Sequence, residues 1–205
     1  MEYGQEKQKS IVVMGECEYE ALGTYHLLNE LNCSPIRLIS KTEHGALINA
    51  DAVVINLSST PLLGWGKNIE LIRKVKSIVG LKNVIAISPT KFKELSLLKT
   101  ICHVIDGEQS LTSIKKELSK AICEEPNVDV FLSGFRCFYD IYIQLAKLSR
   151  IDHTTSTFKR SHYYRRSRMI KMLGINQTHD FNLLSISNTS LPLAMVTGKN
   201  HIKSP

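Results

Sequence analysis

The stretch AVVINL, residues 52–57, is the centre of the fold that the sequence predicts. It is short, apolar and rich in β-branched residues, which is typical of a strand buried on both faces of a sheet. Similar runs occur at Ile11 to Met14, Ile36 to Ile39, Val84 to Ile87 and Ile101 to Ile105. We therefore predict five parallel strands in the first half of the chain.

Segments with helical periodicity separate these strands. Apolar residues recur every three to five positions in three of the segments, and shorter pieces near Glu43 to Ile48 and Lys91 to Leu98 fill the other gaps. The alternation predicts an α/β fold, a doubly wound five-stranded parallel sheet with right-handed crossovers, over residues 11–123. The periodic residues are Tyr19, Leu22, Leu27, Leu31, Ile69, Ile72, Val75, Ile78, Leu111, Ile114, Leu118 and Ile122.

Polar residues and a glycine follow the predicted strands. The functional crevice of a doubly wound sheet lies beyond the carboxyl ends of its strands, so these positions are candidate site residues. They are Gly15, Glu16, Asn56, Ser88 and Asp106.

The pattern at these strand ends resembles the receiver domain of two-component response regulators, a flavodoxin-like module. The resemblance implies an acidic pair after the first strand, a phosphoacceptor aspartate ending the third, a hydroxyl after the fourth and a lysine after the fifth. In this chain Gly15 and Glu16 replace the acidic pair, and Asn56 replaces the phosphoacceptor. Ser88 keeps the hydroxyl, whereas Asp106 replaces the lysine.

These replacements remove the groups that phosphotransfer needs. An acyl phosphate requires a carboxylate nucleophile, Mg²⁺ requires clustered carboxylates, and the incoming phosphoryl group requires a cation. We therefore expect a degenerate, phosphorylation-independent pseudo-receiver. The alternative is that these are ordinary loop residues of another doubly wound domain. GWGK, residues 64–67, lacks the spacing of a phosphate-binding loop, so we expect no nucleotide or other cofactor.

Positive charge is concentrated in the C-terminal part of the chain. Residues 131–205 hold 11 Lys and Arg against three Asp, a balance of +8, whereas residues 1–130 hold 15 bases and 16 acids, a balance of −1. The whole chain carries +7. Such asymmetry indicates that the basic part meets a polyanion, although a basic surface that aids solubility is the alternative.

The predicted secondary structure changes after the fifth βα unit, from βα repeats to a linker and helices. CEEPNVDV, residues 123–130, contains three acids and Pro126, and predicts a linker over residues 124–131. A helix capped by Ser133 is expected next, with Phe135, Phe138, Ile141 (or Tyr142) and Leu145 along an apolar core face.

KRSHYYRRSRMIKMLGI, residues 159–175, combines six cations with two tyrosines and contains no acid. Met169 (or Ile170) and Leu173 form a short apolar stripe, and Gly174 is placed to end the helix. Because a helix this basic repels itself unless phosphates neutralise it, double-stranded DNA is the partner that we expect. The expected DNA-binding residues are Lys159, Arg160, Tyr163, Tyr164, Arg165, Arg166, Arg168 and Lys171.

YRRSRMIKMLGI resembles the recognition helix of LuxR-type (NarL/FixJ-type) helix-turn-helix domains, which commonly ends in a pattern like HRRxIMxKLGI. The family's fourth helix, NxxDLLxL, is matched by Asn176, Asp180, Phe181, Leu183 and Leu184. A receiver followed by this domain is the family's standard architecture. The resemblance implies an all-α DNA-binding domain over residues 132–190, similar to auxiliary regulators of capsule or fimbriae in enteric bacteria.

The first half of this second domain departs from the family pattern. The motif LTxRExEVLxL is only faintly visible in LSGFRCFYDIYIQL, where Leu132, Ser133 and Arg136 match. The scaffold helix lies either before Lys159, with Phe158 in the leucine position, or at Gln144 to Leu148. The register stays open, and we expect a degenerate or rearranged helix-turn-helix.

Within the expected recognition helix, side chains that point away from Met169 and Leu173 should enter the major groove near the N-terminal end, and more C-terminal cations should meet phosphates. Arg160, Tyr163 and Arg166 are expected near base edges, because arginine reads guanine bidentately and tyrosine packs on sugars or methyl groups. Lys159, Arg165, Arg168 and Lys171 are expected on the phosphate backbone. For each of these residues a solvated surface role is the alternative.

Several further classes are disfavoured. The five cysteines, Cys17, Cys33, Cys102, Cys123 and Cys137, form no CxxC pair, and the histidines lack ligand spacing, so we expect no metal and a reducing cytoplasm. No apolar run approaches the roughly 20 residues of a membrane span, and no signal peptide is visible in the N-terminal tail, residues 1–10. We expect residues 191–205 to form a poorly ordered tail.

The sequence thus predicts a DNA-binding transcriptional regulator rather than an enzyme. It is expected to act as a homodimer or with a response-regulator partner, and to contact RNA polymerase. One alternative is an interaction protein that uses the pseudo-receiver as a co-regulator without reading DNA. The other is an enzyme of flavodoxin-like fold, which the missing acids disfavour.

Overall fold

Five parallel strands form the centre of the protein, in the order β2-β1-β3-β4-β5. The computed structural model describes residues 8–37, 44–124, 139–145 and 160–184. This order is that of flavodoxin-like and receiver folds, so the predicted α/β architecture is confirmed. The strands are β1 (Ser10–Gly15), β2 (Ser34–Arg37), β3 (Ala52–Asn56), β4 (Asn83–Ser88) and β5 (His103–Asp106).

Helices follow each strand and cover both faces of the sheet. In chain order they are α1 (Glu18–Glu30), α2 (His44–Asn49), α3 (Gly66–Val79), a 3₁₀ turn (Thr90–Phe92), α4 (Ser96–Lys99) and α5 (Leu111–Cys123). Residues 139–145 are helical (α6), and α7 (Arg160–Met172) and α8 (Thr178–Leu183) follow.

Two apolar layers enclose the sheet because successive strand residues point to opposite faces. Val53 packs in the layer under α2, α3 and α4, whereas its neighbour Val54 packs in the layer under α1 and α5. Every residue of β3 and of β4 is buried, as expected for strands with a layer on each side. The continuous apolar runs in the sequence therefore have a direct structural cause.

Helix α1 differs from its predicted core face. Its buried residues are Ala21, Thr24 and Leu28, whereas Tyr19 is 87% exposed and Leu22 is 44% exposed. The predicted residues Leu27 and Leu31 are partly buried and pack against the layer under α1 and α5, so the apolar periodicity is wrong for Tyr19 and Leu22 only. In α3 the predicted residues Ile69, Ile72 and Val75 are buried. In α5 the predicted residues Ile114, Leu118 and Ile122 are buried, but the prediction is wrong for Leu111, which is exposed.

The described C-terminal helices pack on the α3 and α4 side of the sheet. Tyr142 and Leu145 of α6, both predicted core residues, are buried. Gly174, at φ +79°, follows the end of α7 as predicted, because its backbone lies in the left-handed region that favours glycine. Phe135, Phe138, the predicted linker from residue 125 and the tail of residues 191–205 lie outside the described residues.

Candidate functional site

Four of the predicted site residues end adjacent strands at one edge of the sheet. Gly15 lies opposite Asn56 across β1 and β3, and Ser88 lies opposite Asp106 across β4 and β5. Glu16 follows β1 directly. We call these five residues the carboxyl-edge site. It includes the β1–β3 junction, where the order of the strands reverses and where doubly wound folds bind their ligands.

Among the residues of the carboxyl-edge site that differ from the receiver pattern, Asn56 has the most buried side chain. It is 1% exposed, and its Oδ1 accepts a 2.7 Å hydrogen bond from the Thr24 hydroxyl of α1. Its Nδ2 is buried without a hydrogen-bond partner among the described residues. An amide cannot serve as a nucleophile for phosphoryl transfer, so here the residue joins β3 to α1 instead.

Gly15 is coupled to Asn56 by close packing. A Cβ placed on Gly15 would lie 2.9 Å from both the Cβ and the carbonyl oxygen of Asn56. Because real Cβ atoms do not approach so closely, any side chain at position 15 would displace Asn56. The acid that receivers carry after the first strand therefore has no room at this position.

Glu20 forms a clamp that the sequence did not reveal. Its carboxylate accepts hydrogen bonds from the Ser58 hydroxyl, from the Ser59 backbone N–H at 3.2 Å and from the Ser59 hydroxyl at 2.6 Å. These contacts join the first turn of α1 to the loop after β3. The one available signal was the topology, since an acid just after β1 and hydroxyls just after β3 follow adjacent strands.

Asp106 is held by three donors at the other end of the site. Its carboxylate accepts hydrogen bonds from the Thr90 hydroxyl at 2.7 Å, from Lys93 Nζ at 3.3 Å and from the Glu108 backbone N–H at 3.0 Å. Partial burial acts to raise the pKa of Asp106, but these hydrogen bonds outweigh it and the pKa is lowered. The nearby cation Lys93 is thus already paired with a carboxylate.

Ser88 and Glu16 complete the carboxyl-edge site. The Ser88 side chain is fully buried, with its hydroxyl 3.4 Å from the carbonyl oxygen of Pro89. Glu16 lies at the surface, 3.8 Å from Lys67 Nζ. Among the described residues no group of three or more His, Cys, Asp or Glu side chains is arranged to hold a metal ion.

Cys17 is a further reactive group that the sequence did not single out. It is half-buried at the N-cap of α1, where the backbone N–H of Glu20, the Ser59 hydroxyl and the backbone of Tyr19 lower the pKa of its thiol. Donors at a helix N-terminus favour the thiolate because they stabilise its negative charge. Its position after β1 places it beside the carboxyl-edge site.

Helix α7 has a buried side and a basic side. Met169, Ile170 and Leu173 are buried in the main apolar layer. Tyr163, Tyr164, Arg165, Arg168 and Lys171 are exposed on the remaining surface of the helix, and we call this set the basic face. Tyr164, Arg168 and Lys171 follow one another at spacings of four and three residues, so they lie in one row along the helix.

The remaining predicted DNA-binding residues are placed differently. Arg166 is half-buried, with its Nη2 3.4 Å from the Oδ1 of Asn182 in α8 and its Nε buried without a partner among the described residues. Arg160 is the first residue of α7, but its side chain is outside the description, and Lys159 lies wholly outside it. The basic face therefore contains five of the eight predicted residues.

Protein-family models, curated proteins and solved structures all gave no significant match. Within the described segments, no helix is both long and apolar enough to cross a membrane.

Proposed function

We propose that the protein is a DNA-binding transcriptional regulator whose receiver-like unit works without phosphorylation, acting as a homodimer or with a response-regulator partner. The observation that carries this proposal is the basic face of α7. Three cations, Arg165, Arg168 and Lys171, point away from the protein body together with two exposed tyrosines. Cations on one helix face suit the phosphates on the two sides of a major groove.

The charge of α7 supports a polyanionic partner. The helix contains no acidic residue, so its cations are not balanced within the helix. Like charges three or four residues apart destabilise an isolated helix, and binding to phosphates reverses this cost by releasing counterions. The resemblance to LuxR-type recognition helices gives DNA as the specific polyanion and a helix-turn-helix as the binding unit.

Phosphorylation independence is supported by the carboxyl-edge site. Asn56 lacks a nucleophilic carboxylate, Gly15 has no room for an acid, and Lys93 is bound to Asp106. We expect no labelling of the protein by acetyl phosphate in the presence of Mg²⁺, and unchanged DNA binding in its presence. A labelled protein would contradict this part of the proposal.

Salt-dependent DNA binding tests the main proposal. We expect fluorescence anisotropy with duplex DNA to show a steep loss of affinity with salt in the wild type. Arg165→Ala combined with Arg168→Ala should reduce the slope of log K against log salt by about two, because each lost phosphate contact contributes about 0.9. A slope that does not change would refute a role for these arginines.

A matched control separates the position of the charges from their number. Lys74 in α3 and Lys116 in α5 are exposed, so Lys74→Ala combined with Lys116→Ala removes the same net charge from other surfaces. We expect this variant to retain the wild-type slope. Equal loss in the two double variants would show only a general charge effect and would remove the support for a binding face on α7.

An interaction co-regulator that does not read DNA is the second candidate. The exposed Tyr19 and Leu22 on α1 favour it, because large apolar side chains at the surface are suited to a protein partner. This candidate predicts no salt-dependent DNA binding by the wild type, and weaker binding of a response-regulator partner by Tyr19→Ser combined with Leu22→Ser. The proposed regulator instead predicts that Arg165→Ala combined with Arg168→Ala reduces the salt-dependent binding of DNA.

A further inference from the structure

The C-terminal helices and the sheet share one apolar layer. Trp65 and Phe92, from the segments that follow β3 and β4, stack with ring centroids 4.7 Å apart. The same layer contains Leu173 after α7 and Phe181 of α8, and all four side chains are buried. The non-polar side of the basic helix is thus buried by residues of the receiver-like unit.

Backbone hydrogen bonds fix this contact at two points. The Ser96 N–H, at the first residue of α4, donates to the carbonyl oxygen of Leu173 at 2.8 Å. The Gly64 and Trp65 N–H groups donate to the carbonyl oxygen of Leu183 at 2.8 and 3.1 Å. Such bonds satisfy carbonyl groups at the ends of α7 and α8 that have no partner inside their own helices.

Close approach at both points depends on glycine. A Cβ on Gly174 would overlap the backbone carbonyl of Glu94, and a Cβ on Gly66 would overlap the carbonyl of Leu184 and the hydroxyl of Tyr142. A side-chain ion pair adds to the contact, since Lys91 Nζ lies 3.1 Å from Asp180 Oδ1. The contact is therefore specific in its backbone geometry and not only apolar.

We propose that the receiver-like unit holds α7 in its DNA-binding position, with Ser96 and Gly174 as positioning residues; this inference rests on the proposed function. Docking buries Met169, Ile170 and Leu173 but leaves the basic face exposed, so α7 does not have to leave the sheet unit to meet DNA. The receiver-like unit here supports the DNA-binding helix directly.

The positioning role has a physical basis, because α7 has little stability as an isolated helix. A helix of 13 residues is marginal in water, and the uncompensated cations of α7 weaken it further. Burial of its apolar side in the shared layer supplies the missing stability. If only the docked protein binds DNA, the apparent affinity falls in proportion to the docked fraction.

Replacing Ser96 tests this inference in the full-length protein. Ser96→Pro removes the N–H that binds Leu173, while proline remains acceptable at the first position of α4. Ser96→Ala keeps that N–H and is the matched control. Trp65 is the only tryptophan in the chain and is fully buried at the contact, so its fluorescence reports docking without DNA.

We expect Ser96→Pro to shift the Trp65 emission to longer wavelength and to weaken DNA binding about tenfold, as a docked fraction near one tenth would give. The salt slope should stay that of the wild type, because no cation is lost. Ser96→Ala should match the wild type in emission, affinity and slope. Loss of affinity with an unchanged slope distinguishes positioning from phosphate contact.

A second pair of variants tests the same inference if Ser96→Pro does not fold. Gly174→Ala adds both positive-φ strain and a clash with Glu94, whereas Gly80→Ala adds positive-φ strain where nothing lies within 4 Å. We expect only Gly174→Ala to shift the emission and weaken DNA binding.

The outcomes separate the two proposals. Red-shifted emission in Ser96→Pro with DNA affinity unchanged or tighter would overturn the positioning role alone. Emission and DNA affinity that stay unchanged in both Ser96→Pro and Gly174→Ala would also overturn the positioning role alone. Absence of salt-dependent DNA binding in the wild type would overturn the proposed function and this inference with it.

Discussion

At the scale of single residues, the close approach of residue 56 requires a glycine at position 15. The two residues are opposite each other in the register of β1 and β3, and the Cβ and backbone carbonyl oxygen of Asn56 fill the space above Gly15. The Asn56 amide is in turn held by Thr24 of α1. The packing of β1 on β3 therefore leaves no room for a side chain at position 15, and the Asn56 amide links β3 to α1.

Substitution of Gly15 should destabilise the protein. We expect Gly15→Ala to lower the free energy of unfolding by about 1–3 kcal/mol, because the new methyl group overpacks against Asn56. Urea denaturation followed by circular dichroism measures the change. Gly45→Ala is the control, since a Cβ there meets nothing within 4 Å. Equal stability of the wild type and Gly15→Ala would contradict the packing described for this pair.

The lowered pKa of Cys17 should be visible in its reactivity. Because the thiolate is the nucleophile, alkylation by iodoacetamide should reach its half-maximal rate at a pH below the ordinary thiol pKa of 9.0. Ser59→Ala removes a hydroxyl that lowers the pKa of the thiol and should move the profile to higher pH, as peptide mass spectrometry would show. Cys33, buried and with its pKa raised by desolvation, should react slowly throughout. A profile that Ser59→Ala leaves unchanged would exclude this contact as a cause.

At the scale of elements, α1 shows what periodicity can and cannot predict. The sequence predicted the helix, but its contact face also includes polar anchors, with Thr24 bonded to Asn56 and Glu20 bonded to the loop after β3. Such bonds join residues more than 30 positions apart, so a local apolar pattern contains no trace of them. In α3 and α5, where contacts with the sheet are apolar, the same pattern located most of the buried residues, and the exception is Leu111 at the start of α5.

The orientation of α1 makes Gly23 a site for stabilisation. Gly23 lies inside α1, is exposed, and has nothing within 4 Å of an added Cβ. We expect Gly23→Ala to raise the free energy of unfolding by about 0.5–1 kcal/mol, because alanine restricts the unfolded chain and favours the helix. Thermal unfolding measures this change. A loss of stability would show that this side of α1 is covered.

At the scale of the whole molecule, the sheet was predictable and the packing of the C-terminal helices was not. Strand ends at Gly15, Asn56, Ser88 and Asp106 follow from apolar runs that stop at a polar or glycine residue. The partners of Leu173 and Leu183 are backbone groups of Ser96, Gly64 and Trp65, and backbone donors have no sequence signature. Only the three-dimensional arrangement shows that α7 and α8 extend the apolar layer of the sheet.

Because that layer is continuous, we expect the described parts of the chain to unfold together. Leu173→Ala should lower the free energy of unfolding by about 2–5 kcal/mol, since it leaves a cavity in the shared layer. Trp65 fluorescence and far-ultraviolet circular dichroism should give the same urea midpoint in the wild type and the same shifted midpoint in the variant.

Leu111→Ala is the matched control for this experiment, because Leu111 is 68% exposed and its truncation should change stability by less than about 0.5 kcal/mol. The two probes discriminate between one cooperative unit and two independent ones. If Leu173→Ala shifted only the fluorescence transition and left the main dichroism transition in place, the C-terminal helices would be an independent unit resting on the sheet. A common shift requires that the apolar layer around Trp65 couple the basic helix to the strands.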